Sequence, residues 1–471
     1  MKLSIKELTE QFICFEEEND LFNWEVNGVY IWELIRIPIF NKLTNTHVSN
    51  NFSLTNLTDR NSVRILFAIF YFFYNALFRN PFLSKRNSEI LILNHPRRKY
   101  VDQIYQDIYT DTFLNNLPFQ YAVIERYQSL KHYKPVSTQH LYYLDYLELP
   151  SRFIHLINKI KIADEQQKRI IDVENKLLKH WRLENFSLEK LVKKFVLRYD
   201  YLYPRIDKLV AQFNPAALIC VVSYSFINQI FFQVARKRGI PSVELQHGTV
   251  SKYHIAYNYK STDLKYFPDY FFAWGMAWLN GVRLPLKSER IKAVGYPYLD
   301  TFKSKKDLER NNRQVLIISQ MRQDLANFAL ELSKQLKDHK FIFKAHPSEY
   351  ERVKDEYEIL YQNDNIEVIG NDSRLLYELF RESNYIFGVF STALIEATLF
   401  CPNVIILKYP GWEYFEELEG RSNIHFLSDV NEAVLYISEN RAEKKDPSKL
   451  CFFNTDAIAN LNEEIRKIVG V

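Results

Sequence analysis

An apolar run of strand character, Pro241-Ser-Val-Glu-Leu, ends in Gln246, His247 and Gly248. Two more strand-like runs end in polar groups, Lys344-Ala-His346-Pro347 and Phe390-Ser391-Thr392-Ala393. A free imidazole has a pKa of about 6.5, so His247 can be neutral near pH 7 and take a proton from a hydroxyl. A structural histidine, or one that only orients a substrate, is the plain alternative. Lys344 and His346 alternate onto one strand face, and Pro347 ends the strand and fixes the turn that holds His346. That pair suits a phosphate, although His-Pro also begins many ordinary loops. Ser391 and Thr392 stand before a helical pattern, at the N-cap and first turn, where free N–H groups and hydroxyls converge on an anion. They can equally just cap the helix. Glu396 lies four residues beyond Thr392, on the same helical face, placed to accept hydrogen bonds from ribose hydroxyls. Gln320 and Arg322 follow another strand-like run and either assist the phosphate site or simply start a helix.

The elements that must carry these residues alternate. Strands are expected near 216–222, 242–246 and 271–274, then near 315–319, 341–344, 366–369, 385–390 and 404–407. Helical patterns separate them, near 227–237, 325–336, 374–381 and 394–400. Such alternation implies parallel sheets covered by helices, and ligands bind such sheets at the carboxyl ends of their strands. The expected fold class is α/β, with two Rossmann-like domains facing across a cleft. An amino-terminal domain over 86–302 holds a helical insertion, a charged linker covers 303–313, and a nucleotide-binding domain occupies 314–471. A strand at 89–93 ends in Asn94, His95 and Pro96, followed by the basic cluster Arg97, Arg98 and Lys99. Residues 1–85 read as a helical appendage. Asp102, Asp107 and Asp111, near Tyr105 and Tyr109, read as a solvated helix face or else as a lining of the cleft's acceptor side.

The 471 residues suffice for two or three self-sufficient cores. Four dispersed cysteines show no CxxC spacing, which fits a reducing compartment. The start of the chain lacks the apolar core of a secretion signal, so a cytoplasmic location is expected. A net charge of +4 is too mild to indicate nucleic acid. Residues 63–78 are almost wholly apolar with basic flanks, short of the roughly 20 residues of a membrane span. They read either as a helix on the inner membrane surface or as a buried core helix. No Asp-x-Asp, HExxH, GxGxxG or Walker-type loop occurs. No metal or cofactor is therefore signalled.

Lys-Ala-His346-Pro347 followed by Phe-Ser391-Thr392-Ala resembles the nucleotide-phosphate motifs of bacterial GT-B glycosyltransferases of surface-polysaccharide synthesis, among them sialyltransferases and Kdo transferases. The likeness spans roughly residues 215–440. It implies that His346, Ser391 and Thr392 contact the donor phosphate. It further implies a transfer from a nucleotide sugar, with CMP-sugars favoured, to a growing glycan or lipid-linked acceptor; one-step displacement then means inversion, and the missing Asp-x-Asp makes the transfer metal-independent by default. The nucleotide sugar is then a substrate rather than a cofactor. In those families a carboxylate stands where this chain has His247, which makes His247 the expected base. His-Gly at such a strand end is also similar to teichoic-acid glycerophosphotransferases, which implies a CDP-polyol donor instead. A membrane-associated binding protein that has kept the form without turnover is the non-enzymatic reading.

Overall fold

The computed structural model describes residues 2–48, 62–84, 87–101, 103–128, 131–303, 309–420, 423–439 and 452–470; the side chains of 62–68 and 303 lie outside that description. The first sheet contains β1 (Ile90–Leu93), β2 (Tyr121–Glu125), β3 (Leu141–Tyr143), β4 (Ala217–Val221), β5 (Ser242–Leu245), β6 (Tyr270–Ala273) and β7 (Ile291–Ala293). All pairings are parallel, in the order β3-β2-β1-β4-β5-β6-β7. Runs such as Ile-Leu-Ile-Leu in β1 and Ala-Leu-Ile-Cys-Val in β4 bury every residue, as strands covered on both faces must.

The second sheet repeats the pattern with β8 (Asn311–Ile318), β9 (Lys340–Lys344), β10 (Ile366–Ile369), β11 (Ser383–Gly388), β12 (Asn403–Leu407) and β13 (Ile424–Leu427). Its order is β10-β9-β8-β11-β12-β13, again parallel. Two Rossmann-like domains therefore face one another, the expected GT-B arrangement. Residues 304–308 of the expected linker lie outside the described residues, and Asn311–Arg313 already belong to β8.

The helical N-terminal segment is present, and it is built into the first domain's core. Helices α1 (Ile5–Glu18) and α2 (Ile31–His47) share one apolar cluster with β1, β2 and β4. A capping box between Ser4 and Glu7 starts α1. Glu16 and Arg36 form a buried ion pair at 2.7 Å, and Arg36 also donates to the Ile255 carbonyl at 2.7 Å. Farther along, α3 (Ser62–Phe78) packs on α4 (Asp145–Ile157). The insertion contributes α5 (Leu188–Phe213), which packs against α6 (Phe226–Lys237). The second domain's site helix is α7 (Thr392–Ala397), and the chain ends in α8 (Ala457–Val469). Leu461 and Ile465 of α8 return to the first sheet, in the cluster formed by Ile90, Ile92 and Ile219. The expected second domain, 314–471, thus has a last helix whose apolar face fits the other sheet.

Candidate active site

Each sheet reverses its order beside its first strand, and the loops leaving the carboxyl ends diverge there to open a crevice. In the first domain β1 delivers His95, Arg97 and Lys99, β4 delivers Tyr224, and β5 delivers His247. In the second, β9 delivers Lys344 and His346, while β11 leads into Ser391 and α7. The two crevices meet: a Cβ added at Gly248 would lie 4.0 Å from Thr392 Cγ2.

His247 is held by two phenols, with Tyr224 Oη 3.2 Å from Nε2 and Tyr257 Oη 3.5 Å from Nδ1. Behind it stands Glu244, fully buried, with Oε1 3.9 Å from Nδ1. Glu244 accepts from the Ser223 N–H at 3.0 Å and from the Tyr257 hydroxyl at 2.8 Å. The Tyr257 proton is thus engaged with Glu244, so its oxygen faces Nδ1 as an acceptor. That favours the proton on Nδ1 and leaves Nε2 as the basic nitrogen. Burial, followed by His95, His254 and Arg97, pushes the His247 pKa well below its ordinary value, so the ring is neutral. Burial pushes Glu244 up to about 7.

His346 is the N-cap of the short turn Pro347–Glu349, and its Nδ1 accepts from the Ser348 N–H at 3.2 Å. The remaining proton then sits on Nε2, a donor for an incoming anion. Burial first, then Arg97 and Lys99, lowers its pKa to about 4. Lys344 donates to Tyr350 Oη at 2.8 Å, and burial lowers its pKa to about 8. Ser391 Oγ accepts from the Ala393 N–H at 3.3 Å and so caps α7, as the plainer reading had it. Glu396 is buried and accepts from Tyr377 Oη, and Lys99 of the first domain acts on its charge.

The other expected site residues serve the frame. Gln246 spends its side chain on the Gly248 carbonyl at 2.9 Å and the Trp274 N–H at 2.8 Å, which fixes the His247 loop to the end of β6. Gln320 Oε1 accepts from the Val389 and Phe390 N–H groups at 3.1 and 3.0 Å, setting the approach to Ser391. Arg322 binds Asp324, with Nε to Oδ1 at 2.9 Å, and also the Pro410 carbonyl.

Sequence reasoning left the first-domain cations and Glu244 outside the site. Arg98 points inward to Glu125 and Asp111, whereas Arg97 and Lys99 turn toward the cleft. Arg97 lies close enough to His95, His247 and His346 to depress all three imidazoles. Lys99 Nζ sits 5.4 Å from the ring centroid of Tyr298. The signal was the Arg97-Arg98-Lys99 run itself, directly after a strand end. The aspartate series corrects the solvated-face expectation, while Asp102 lies outside the described residues. Asp107 is fully buried and accepts from the His95 N–H at 3.0 Å, and Asp111 pairs with Arg98 at 3.1 Å. Both hold the loop that carries Arg97. Among the described residues, no group of three or more His, Cys, Asp or Glu is placed to hold a metal.

No protein-family model matches the chain, and no curated protein matches it. Among solved structures, it is similar to the UDP-GlcNAc 2-epimerase of Methanocaldococcus jannaschii at 13% identity, covering 81% of this chain and 98% of that one, with a TM-score of 0.46. A putative UDP-N-acetylglucosamine 2-epimerase of Listeria monocytogenes gives 12%, 82%, 96% and 0.47. The wall teichoic acid polymerase TagF gives 13%, 92%, 98% and 0.45. At such values the function of this chain rests on its own residues.

Proposed function

We propose that the chain is a glycosyltransferase that moves a sugar from a nucleotide-sugar donor to an acceptor hydroxyl with inversion. The observation that carries the reading is a neutral His247, backed by Glu244, in a crevice that meets at Gly248 and Thr392 the one holding Lys344 and His346. His247 Nε2 takes the proton of the acceptor hydroxyl. The freed oxygen attacks the anomeric carbon, and the bond from that carbon to the donor phosphate breaks with its electron pair going to the phosphate. Arg97, Lys99, Lys344 and the Nε2–H of His346 meet the charge that grows there. Thr392, at the start of α7, and Glu396, paired with Tyr377, are the contacts proposed for the rest of the nucleotide. The motif resemblance puts CMP-sugars first among donors and a bacterial surface glycan or lipid-linked glycan first among acceptors.

The pair His247-Gly248 supports a second reading, in which the same base activates a hydroxyl that attacks phosphorus in a CDP-polyol and releases CMP. A panel of CMP-, UDP- and GDP-sugars against CDP-glycerol and CDP-ribitol separates the two by turnover and by thermal stabilisation. A ligand at 100 times its Kd adds about 2.7 kcal/mol of stability. His247→Ala is expected to keep nucleotide binding and lose about 100-fold or more in kcat. Wild-type turnover in that variant removes His247 as the base, and the absence of stabilisation by any nucleotide defeats both readings.

A further inference from the structure

Over residues 69–78, helix α3 is turned inside out. Asn75, 4% exposed, faces the protein and donates to Asp145 Oδ2 of α4 at 2.8 Å. Phe70, Phe73, Leu77 and Phe78 face outward, Phe73 with 67% of its surface exposed. The neighbouring helix α4 ends the same way, with Leu156 and Ile157 exposed at 72% and 79%. An amide that fixes the helix by its polar side, with large apolar groups directed away from the core, is the reverse of a water-facing helix.

Several cations stand beside this face. Arg79 follows α3 directly, and Lys134 Nζ lies 5.9 and 5.3 Å from the ring centroids of Tyr71 and Tyr74. Lys159 and Lys161, both exposed, follow α4, and Arg152 is half-exposed on it. The carboxylates of α4, Asp145 and Glu148, are buried and bound by His132, Arg126 and Arg152. We propose that α3 and the end of α4 form a docking face for an anionic lipid bilayer, with the apolar side chains among the acyl chains and the cations at the headgroups. A second copy fits less well, because a two-fold contact would set these cations against one another. A span does not fit either. The 17 residues of α3 reach about 25 Å, short of the roughly 30 Å hydrocarbon layer, and no described helix is long and apolar enough to cross. The proposal is independent of the reaction assigned to the cleft.

The test is co-sedimentation of the full chain with phosphatidylglycerol/phosphatidylcholine vesicles and with pure phosphatidylcholine vesicles. Binding is expected to the anionic vesicles and to weaken with salt. The combined variant Phe73→Ser, Leu77→Ser, Leu156→Ser, Ile157→Ser is expected to lose at least about tenfold in partitioning with its Tm unchanged. If that variant does not fold, Lys159→Glu with Lys161→Glu gives the second reading, a loss of about threefold or more. Three results overturn the proposal: no binding to anionic vesicles, binding indifferent to these substitutions, or a dimer dissolved by the same substitutions with no vesicle binding.

Discussion

On the proposed mechanism, Glu244 ties the chemistry of His247 to the stability of the fold. In the unfolded chain this carboxyl ionises near 4.5, and burial raises that to about 7 in the fold. The folded state therefore keeps a proton that the unfolded state has released. The contribution is full below about pH 4.5 and is lost as pH rises through about 7. Glu244→Gln, which stays neutral, is expected to be more stable than wild type at pH 8, by up to about 3 kcal/mol, and equal to it near pH 4. In activity the order reverses. On the proposed mechanism His247 is already neutral, so the acid limb of kcat/KM is expected to belong to Glu244, with a midpoint near 7. Glu244→Gln is expected to lose that limb and settle at a lower plateau; an unshifted limb removes Glu244 from the mechanism. The strand-end rule made His247, His346 and Ser391 legible because each closes an apolar run. Glu244 was hidden inside such a run. Only its pairing between Cys220 of β4 and Phe271 of β6 makes that position interior.

At the scale of elements, the parallel strands were legible wherever an apolar run ended in turn chemistry, and β4, β5, β9 and β10 fall within a residue or two of expectation. Strands β2 and β3 were not read. The second is three residues long, and the first ends in Glu125, which looks like a surface residue until its partners are assembled. Those partners are Arg98 at 2.5 Å, Asn94 at 3.0 Å and His132 at 2.9 Å, drawn from loops on both sides of β2. Three consecutive basic residues do not reveal which one turns inward. Here Arg98 does, with none of its side chain exposed, and it links Glu125 to Asp111. Arg98→Ala leaves two buried carboxylates without their cation and is expected to cost about 3–5 kcal/mol in denaturant unfolding. A loss under 1 kcal/mol contradicts that structural role.

At the scale of the whole molecule, alternation announced two sheets, but nothing in it told where the final helix would lie. Its apolar face, Leu461 and Ile465, is as suitable for either sheet, and the deciding contacts are far away in sequence. Gly295, at φ +94°, lets α8 approach: a Cβ there would stand 2.6 Å from the Asn454 carbonyl and 2.7 Å from Ala457 Cβ. Gly295→Ala is expected to lower stability by about 2 kcal/mol or more through backbone strain and displacement of α8, read as a fall in Tm. An unchanged Tm shows that the junction yields freely. The return crossing is itself fastened to the first domain. Trp278 Nε1 donates to the Phe452 carbonyl at 2.9 Å, and Asn454 reaches the Trp274 and Ala293 carbonyls at 2.8 and 2.7 Å. The halves are thus joined by two lengths of chain rather than one. The core of the sheet that carries His247 is therefore completed by Leu461 and Ile465 from beyond the second domain, so the first half is not one continuous piece of chain.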